Sequence, residues 1–440
     1  MINFRPSLQL MVVSGVILGP LAVLADVSPF ITSRMVEPKE VGMSSKKLDE
    51  IGDFLDRQVD GKQLGGAIVL VAKDGKVVSL ESAGMRSIEK GIPMSRDTLF
   101  RIHSMTKPIV STVVMILYEE GLLALDDPIS KWLPEFEHMR VVTNERSAKD
   151  ASGHVTESAR RQITLRHLLS HTAGFPQNRF QDRPERKDWL ASEAYQLRER
   201  LLPYGELKQM ASGMANLPLD FHPGEFFDYG PSTDVLGRLA EVVSGQSLDV
   251  LIAERILRPL GMNDTKFFIT PEEAQRLCSI YQVAPDGGGL TLVEDETSDW
   301  SIGVDKTYFS AQGGLVSTVV DYFRFLLMLR NGGILEGTRI LKTKTVRLMG
   351  ENQLTQVNID PGNEPKGFGF GLGFGILNEN DHIQGPGGLN RNGSLFWLGE
   401  AKTRFFVDLQ NDIIFILLQQ RKGGPDIRRP IERMIYNALD

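Results

Sequence analysis

The 440-residue chain contains one cysteine, Cys278. A lone thiol cannot close an intramolecular disulfide, build a Cys-based metal site or form a redox CxxC pair. Histidine is also sparse, with seven in the chain. His167 and His171 stand four apart in HLLSH, the spacing of a metal pair. The glutamate of HExxH is missing, and no third ligand is in sight. No metal and no cofactor is therefore expected. No long run of Lys and Arg appears, and the net charge is -7, which argues against a nucleic-acid partner. No serine lies in a G-x-S-x-G elbow, so the α/β-hydrolase route to an esterase is closed. Internal repeats and low-complexity tracts are absent as well.

What is present begins with an apolar stretch, Leu8 to Leu24, behind Arg5. Val23-Leu24-Ala25 offers small residues for cleavage before Asp26. Residues 1–25 are expected to be an export signal, and the mature chain periplasmic or secreted. A membrane is involved only if that segment is kept as an anchor.

Along the rest of the chain, Leu48, Ile51, Phe54, Leu55 and Val59 follow helical spacing after Ser44-Ser45. GGAIVLVAKDGKVVSLESAG places two apolar runs around Asp74-Gly75, a hairpin signal. Ile109 to Leu117 reads as a buried helix, stopped by Gly121. Val141 to Arg161 is polar and reads as a surface excursion. Further helices are expected in ITLRHLLSHTAGF after Thr164, from Asp188 to Met214, from Ser232 to Val243, and after SAQGGLVST. Near the C-terminus the period changes to that of strands in GSLFWLGE, TRFFVDL and DIIFILLQQ, followed by an amphipathic helix from Pro425 to Ala438. The simplest assembly is α/β plus all-α. The two chain ends form one antiparallel sheet flanked by terminal helices, and a helical domain is inserted between them. The expected domains are residues 26–104 with 305–440 for the sheet and 105–304 for the helices.

Three S-x-x-K spacings occur: Ser44 with Lys47, Ser87 with Lys90, and Ser104 with Lys107. The first lies on an amphipathic helix and the second in a polar turn. Only Ser104-Met105-Thr106-Lys107 opens a helix that is apolar on nearly all sides. Position i+3 puts the amine on the serine's face of the helix. Burial disfavours an ammonium and leaves an amine able to take a hydroxyl proton. A serine at a helix start also presents its own unpaired N–H as an oxyanion donor.

RIHSMTKPIVS, LLSHTAGF, FHPGEFFDYG, GGLVST and the C-terminal strands, in that order over about residues 40 to 440, resemble the serine β-lactamase and penicillin-binding superfamily. The closest branch is that of the class C β-lactamase-like esterases, often called family VIII carboxylesterases. The resemblance implies a β-lactamase-like fold. It implies Ser104 as nucleophile, Lys107 as its partner and Tyr229 as the tyrosine of a Ser-Lys-Tyr proton network. Two departures stand out. Pro231 occupies the place of the family's Tyr-x-Asn asparagine, so no side-chain amide is there to hold an acylamide. The Lys-Thr-Gly motif of the edge strand maps either to Lys402-Thr403 or to Trp397-Leu398-Gly399. Room for the following strand favours the second. Trp397 then replaces the lysine, Gly399 permits close backbone approach, and Glu400 supplies a second oxyanion N–H.

Trp397 offers an apolar wall instead of a fixed cation. Short, mostly uncharged carboxylic esters are thus the expected small-molecule substrates, cleaved by a serine carboxylesterase. Arg391, Lys402 and Arg404 are the residues that could restore a cation. The alternatives are a class C-like β-lactamase, a D-Ala-D-Ala carboxypeptidase and, outside enzymes, a penicillin-recognising sensor.

Overall fold

The computed structural model describes residues 28–143, 155–176, 196–285, 287–297, 301–303, 305–355, 357, 368–378 and 391–440. The N-terminal segment read as a signal lies outside them. Helix α1 (Ser45–Asp60) buries Leu48, Ile51 and Leu55, one apolar face of the expected pattern. Strands β1 (Gly66–Lys73) and β2 (Lys76–Ser87) form an antiparallel hairpin. Its turn residues Asp74 and Gly75 have φ of +54° and +74°. Two positive φ values in succession match the twist of a two-residue hairpin and explain the Asp-Gly pair. A short β3 (Ile92–Pro93) follows.

Helix α2 (Thr106–Glu119) is buried at every residue from Thr106 to Leu117, so it runs through the core instead of along the surface. Helix α5 (Ser232–Ser244) packs against it and also touches α3 (Leu165–Leu169) and α4 (Leu207–Ala215). The Thr164 side chain caps α3 by accepting from the His167 N–H. Helix α6 (Val319–Arg330) leads back towards the sheet. The chain then adds β4 (Phe368–Phe370), β5 (Gly375–Leu377), β6 (Leu395–Leu398), β7 (Arg404–Asp408), β8 (Ile413–Gln419) and helix α7 (Arg428–Asn437).

These strands make one eight-stranded sheet, ordered β4-β5-β6-β7-β8-β1-β2-β3 and antiparallel throughout. The two ends of the chain meet where β1 pairs with β8, Leu70 opposite Ile416. All seven residues of β8 are buried, as a central strand covered on both faces requires. The covering helices can be assigned from adjacent residues of β7, which point to opposite faces. Phe405 packs against Tyr322 of α6, ring centroids 5.3 Å apart. Phe406 stacks on Tyr436 of α7 at 5.9 Å.

Two features of the sheet regions escaped the sequence reading. Strands β4 and β5 lie in GFGFGLGFGIL, where glycines blur any alternation of apolar side chains. The middle stretch is not wholly helical: Ile280–Val283 and Leu290–Glu294 join Arg421–Lys422 in a three-stranded sheet.

On the α7 face, Glu432 is fully buried and pairs with two arginines. Arg391 Nη1 lies 2.7 Å from one carboxylate oxygen, and Arg404 Nε bonds the other. The Arg404 guanidinium sits over the Phe396 ring, and that of Arg391 over Phe406 and Tyr436. This cluster ties α7 to β7 and to the segment leading into β6. Neutralising Glu432 takes away the buried anion that both guanidiniums share. Glu432→Gln is expected to cost about 3–5 kcal/mol of stability, read as a lower urea midpoint at unchanged m-value. A midpoint equal to wild type would show that the cluster contributes nothing net.

Candidate active site

Ser104 sits in a 3₁₀ turn, His103–Met105, immediately before α2. His103 has φ of +44°, a conformation uncommon for a residue with a side chain. The turn is held from several sides. The Ile102 N–H donates to Leu315 O at 3.0 Å, and the Leu315 N–H donates to Thr106 Oγ1 at 3.1 Å. The buried Tyr322 hydroxyl donates to Met105 O at 2.9 Å. A turn fixed in this way keeps a left-handed residue in place against its own preference.

One helical turn on, Lys107 is buried in α2. Its Nζ donates to Ser104 Oγ at 3.0 Å and to Gln312 O at 2.7 Å. The other two S-x-x-K lysines turn away from their serines. Lys47 Nζ donates to Asn437 O at 2.7 Å, and Lys90 pairs with Glu296. Equal spacing thus yields a serine–lysine pair only where the apolar surroundings leave the amine few other partners.

Tyr229 comes from the loop before α5, where Pro231 occupies the N-cap position. The Lys107 Nζ lies over the face of its ring, 4.6 Å from the centroid. The Tyr229 hydroxyl accepts from Trp397 Nε1 at 3.2 Å. The hydroxyl expected beside Ser104 and Lys107 is therefore engaged by an indole, while a cation–π contact links the tyrosine to the lysine. His171 backs the same loop. Its ring lies 4.7 Å from that of Tyr229, and its Nδ1 accepts the Gly230 N–H at 3.3 Å. Burial, then the nearby Lys107, holds the His171 imidazole well below its ordinary pKa. His103 is likewise pushed down, to about 3, chiefly by burial and then by Arg101, Arg198, Lys422 and Lys107. Neither imidazole carries charge near neutral pH, because both are buried.

Strand β6 brings Trp397 to this cluster. Its ring is 5.0 Å from that of Tyr229 and 5.0 Å, edge-on, from Phe370 of β4. Phe227 adds a further aromatic beside Phe370 at 5.4 Å. Gly399 and Glu400 lie in the tight turn after β6, closed by the Lys402 N–H donating to Gly399 O at 2.9 Å. A Cβ on Gly399 would stand 2.6 Å from Ile102 O and 2.3 Å from Thr403 Oγ1, so only glycine lets this turn approach the Ser104 segment. The Glu400 side chain is exposed. Lys402 has φ of +65° in the turn, and its Nζ donates to Gly424 O at 3.2 Å. Arg391 and Arg404 are committed to Glu432. None of the three replacement cations is bonded at Tyr229, and Trp397 is.

An amine within hydrogen-bond reach of a hydroxyl, beside a tyrosine and a helix start, is equipped for acyl transfer through the serine. Among the described residues no cluster of His, Cys, Asp and Glu is arranged to hold a metal. His167, weighed in sequence with His171 as a metal pair, instead accepts the Thr164 N–H at 3.1 Å and completes the cap of α3. The sequence reading missed His171 as a support for Tyr229. The one signal for it was its place in LLSHTAGF, a motif whose histidine has no helical partner once the metal reading is set aside. It also missed Gln312 and Asp234, which stand near Lys107 only through folding.

Comparison with known proteins adds an independent placement. A family model described as Beta-lactamase matches residues 51–438. An uncharacterized protein of Mycobacterium tuberculosis, MT1414, is 34% identical over 376 residues, covering 82% of this chain and 87% of that one. Esterase EstB of Burkholderia gladioli is 27% identical over 410 residues, covering 88% of this chain and 94% of EstB. The solved structure of EstCE1, described as a hydrolase with promiscuous acyltransferase activity, superposes with a TM-score of 0.69 at 26% identity, covering 90% of this chain and 99% of that one. A match of that extent, with the sheet built from both chain ends, leads to one conclusion: the chain belongs to the β-lactamase family, as a β-lactamase-like serine hydrolase with esterases among its relatives.

Proposed function

We propose that the chain is a carboxylesterase that cleaves short, uncharged esters through an acyl-enzyme on Ser104. The observation that carries this reading is the Lys107 amine 3.0 Å from Ser104 Oγ, beside a tyrosine whose hydroxyl partner is an indole N–H. In the proposed cycle Lys107 takes the Ser104 proton as Oγ attacks the ester carbonyl carbon. Main-chain N–H groups of Ser104 and Glu400 receive the developing oxyanion. The Tyr229 hydroxyl gives a proton to the departing alkoxide and regains one from Lys107. Water then attacks the acyl group by the reverse proton path and releases the acid.

Substrate preference follows from the wall around Tyr229. β-Lactams and D-Ala-D-Ala peptides carry a carboxylate that a fixed cation would meet. Here Trp397 stands beside the tyrosine, with Phe370 against Trp397 and Phe227 against Phe370, and Lys402, Arg391 and Arg404 are bonded elsewhere. An apolar surface favours neutral acyl and alcohol groups and leaves a carboxylate desolvated without a partner. The same wall, together with the description of EstCE1, favours a second outcome for the acyl-enzyme: transfer to a small alcohol in competition with water. Export of the mature chain from about Asp26 is part of the same proposal, resting on the N-terminal sequence.

A fluorophosphonate probe is expected to label Ser104, with labelling and p-nitrophenyl ester turnover both lost in Ser104→Ala and both retained in Ser44→Ala. Lys107→Ala and Tyr229→Phe should each lower kcat by at least about 10². Their combined loss should fall well short of the product of the single losses, because they serve one proton path. Label retained by Ser104→Ala would sink the assignment.

Trp397→Lys should lower kcat/KM for short neutral esters and raise it for a chromogenic cephalosporin, since an ammonium gives the carboxylate its ion-pair partner. Thermal melts establish that the variant is folded. An unchanged ester-to-lactam ratio in the folded variant would refute the role given to the indole.

A further inference from the structure

Asp234, in the first turn of α5, is a fully buried carboxylate that the proposed cycle leaves without a task. Its Oδ1 accepts the Gln312 main-chain N–H at 2.9 Å. Its Oδ2 accepts the Gln312 side-chain Nε2–H at 2.9 Å and the Tyr308 hydroxyl at 3.1 Å. Gln312 is thus gripped at both of its N–H groups by one carboxylate, and its remaining main-chain group, the carbonyl, receives Lys107 Nζ at 2.7 Å. Burial raises the Asp234 carboxyl above the usual range. Arg198, the Gln312 N–H, Lys107 and the Tyr308 hydroxyl oppose that rise. Tyr308 is pushed well above its ordinary value by burial and by Asp234, so it keeps its proton and donates. Three donors converging on two oxygens are what an ionised carboxylate needs and a protonated acid does not.

We propose that Asp234 completes a Ser104–Lys107–Asp234 chain, acting on Lys107 through the Gln312 peptide as a positioning and charge-balancing residue. When the Ser104 Oγ–H proton passes to Lys107 Nζ, a cation forms in a buried place. The Gln312 carbonyl accepts one of its N–H groups, and the Asp234 carboxylate behind that peptide keeps its negative charge and balances the new positive one. The logic is that of the aspartate behind a catalytic histidine, with a peptide group interposed. This inference rests on the serine–lysine reading of the site.

The test uses the purified full chain. Asp234→Asn keeps the size of the side chain and removes its charge. In the folded variant, kcat on a p-nitrophenyl ester and the second-order rate of fluorophosphonate labelling should each fall at least about 10-fold, the worth of a hydrogen bond to a charged group, while KM stays within about 3-fold. In a Lys107→Ala background the same substitution should change the labelling rate by less than about 2-fold, because its effect passes through the amine. Should Asp234→Asn fail to fold, Gln312→Leu removes one of the two grips and leaves the carbonyl. It should slow labelling by about 3- to 10-fold, again only when Lys107 is present. A wild-type labelling rate in folded Asp234→Asn, or equal losses with and without Lys107, would overturn the proposal and leave the serine–lysine reading standing. Wild-type labelling in Lys107→Ala alone would overturn both.

Discussion

The arrangement of the site depends on one constraint: an amine is held inside an apolar helix. Lys107 lies in α2 among residues that are buried from Thr106 to Leu117. A charged group in such a place is costly unless polar partners replace water. The described partners are few and come from separate parts of the chain. Ser104 Oγ lies one turn back on the same segment, and Gln312 O comes from the stretch before α6. The Tyr229 ring approaches from the loop before α5. The fold brings these segments together around the amine, and each is anchored in turn by bonds that make no contact with Ser104 itself.

Those anchors differ in kind. The Ser104 turn is held by backbone bonds to Leu315 and by the Tyr322 hydroxyl. Tyr229 is held by aromatic faces and by two neutral groups, the His171 imidazole at Gly230 and the Trp397 indole at the phenol oxygen. An indole N–H is a donor only and carries no charge. It therefore orients the phenol without placing a point charge beside it. The buried arginines near β6 take no part in this, because Glu432 draws both to the opposite face of the sheet.

Much of the architecture was legible because it follows local rules. Asp74-Gly75 announced its hairpin, and the run from Ile413 to Gln419 announced a strand. The α1 and α7 faces were written in their 3.6-residue spacing. Strands β4 and β5 were hidden by glycines that carry no apolar side chain to count. The small sheet of Ile280–Val283 was hidden because its parallel partner, Arg421–Lys422, is distant in sequence.

By itself the sequence put Ser104 and Lys107 three residues apart at a helix start, a spacing that allows both side chains to reach one side of the segment. It also determined that Trp397 occupies a strand where a lysine was the alternative. The tertiary structure alone decided which of three identical S-x-x-K spacings became a pair, because the partners available to each lysine depend on what the fold packs around it. It alone decided that Trp397 meets Tyr229, that His171 supports the tyrosine loop, and that Asp234 lies behind Lys107 across Gln312. Those contacts join residues as distant as Tyr229 and Trp397, 168 positions apart, and Lys107 and Gln312, 205 apart. No local periodicity encodes them, and they exist only because the helices around α2 close against the end of the sheet.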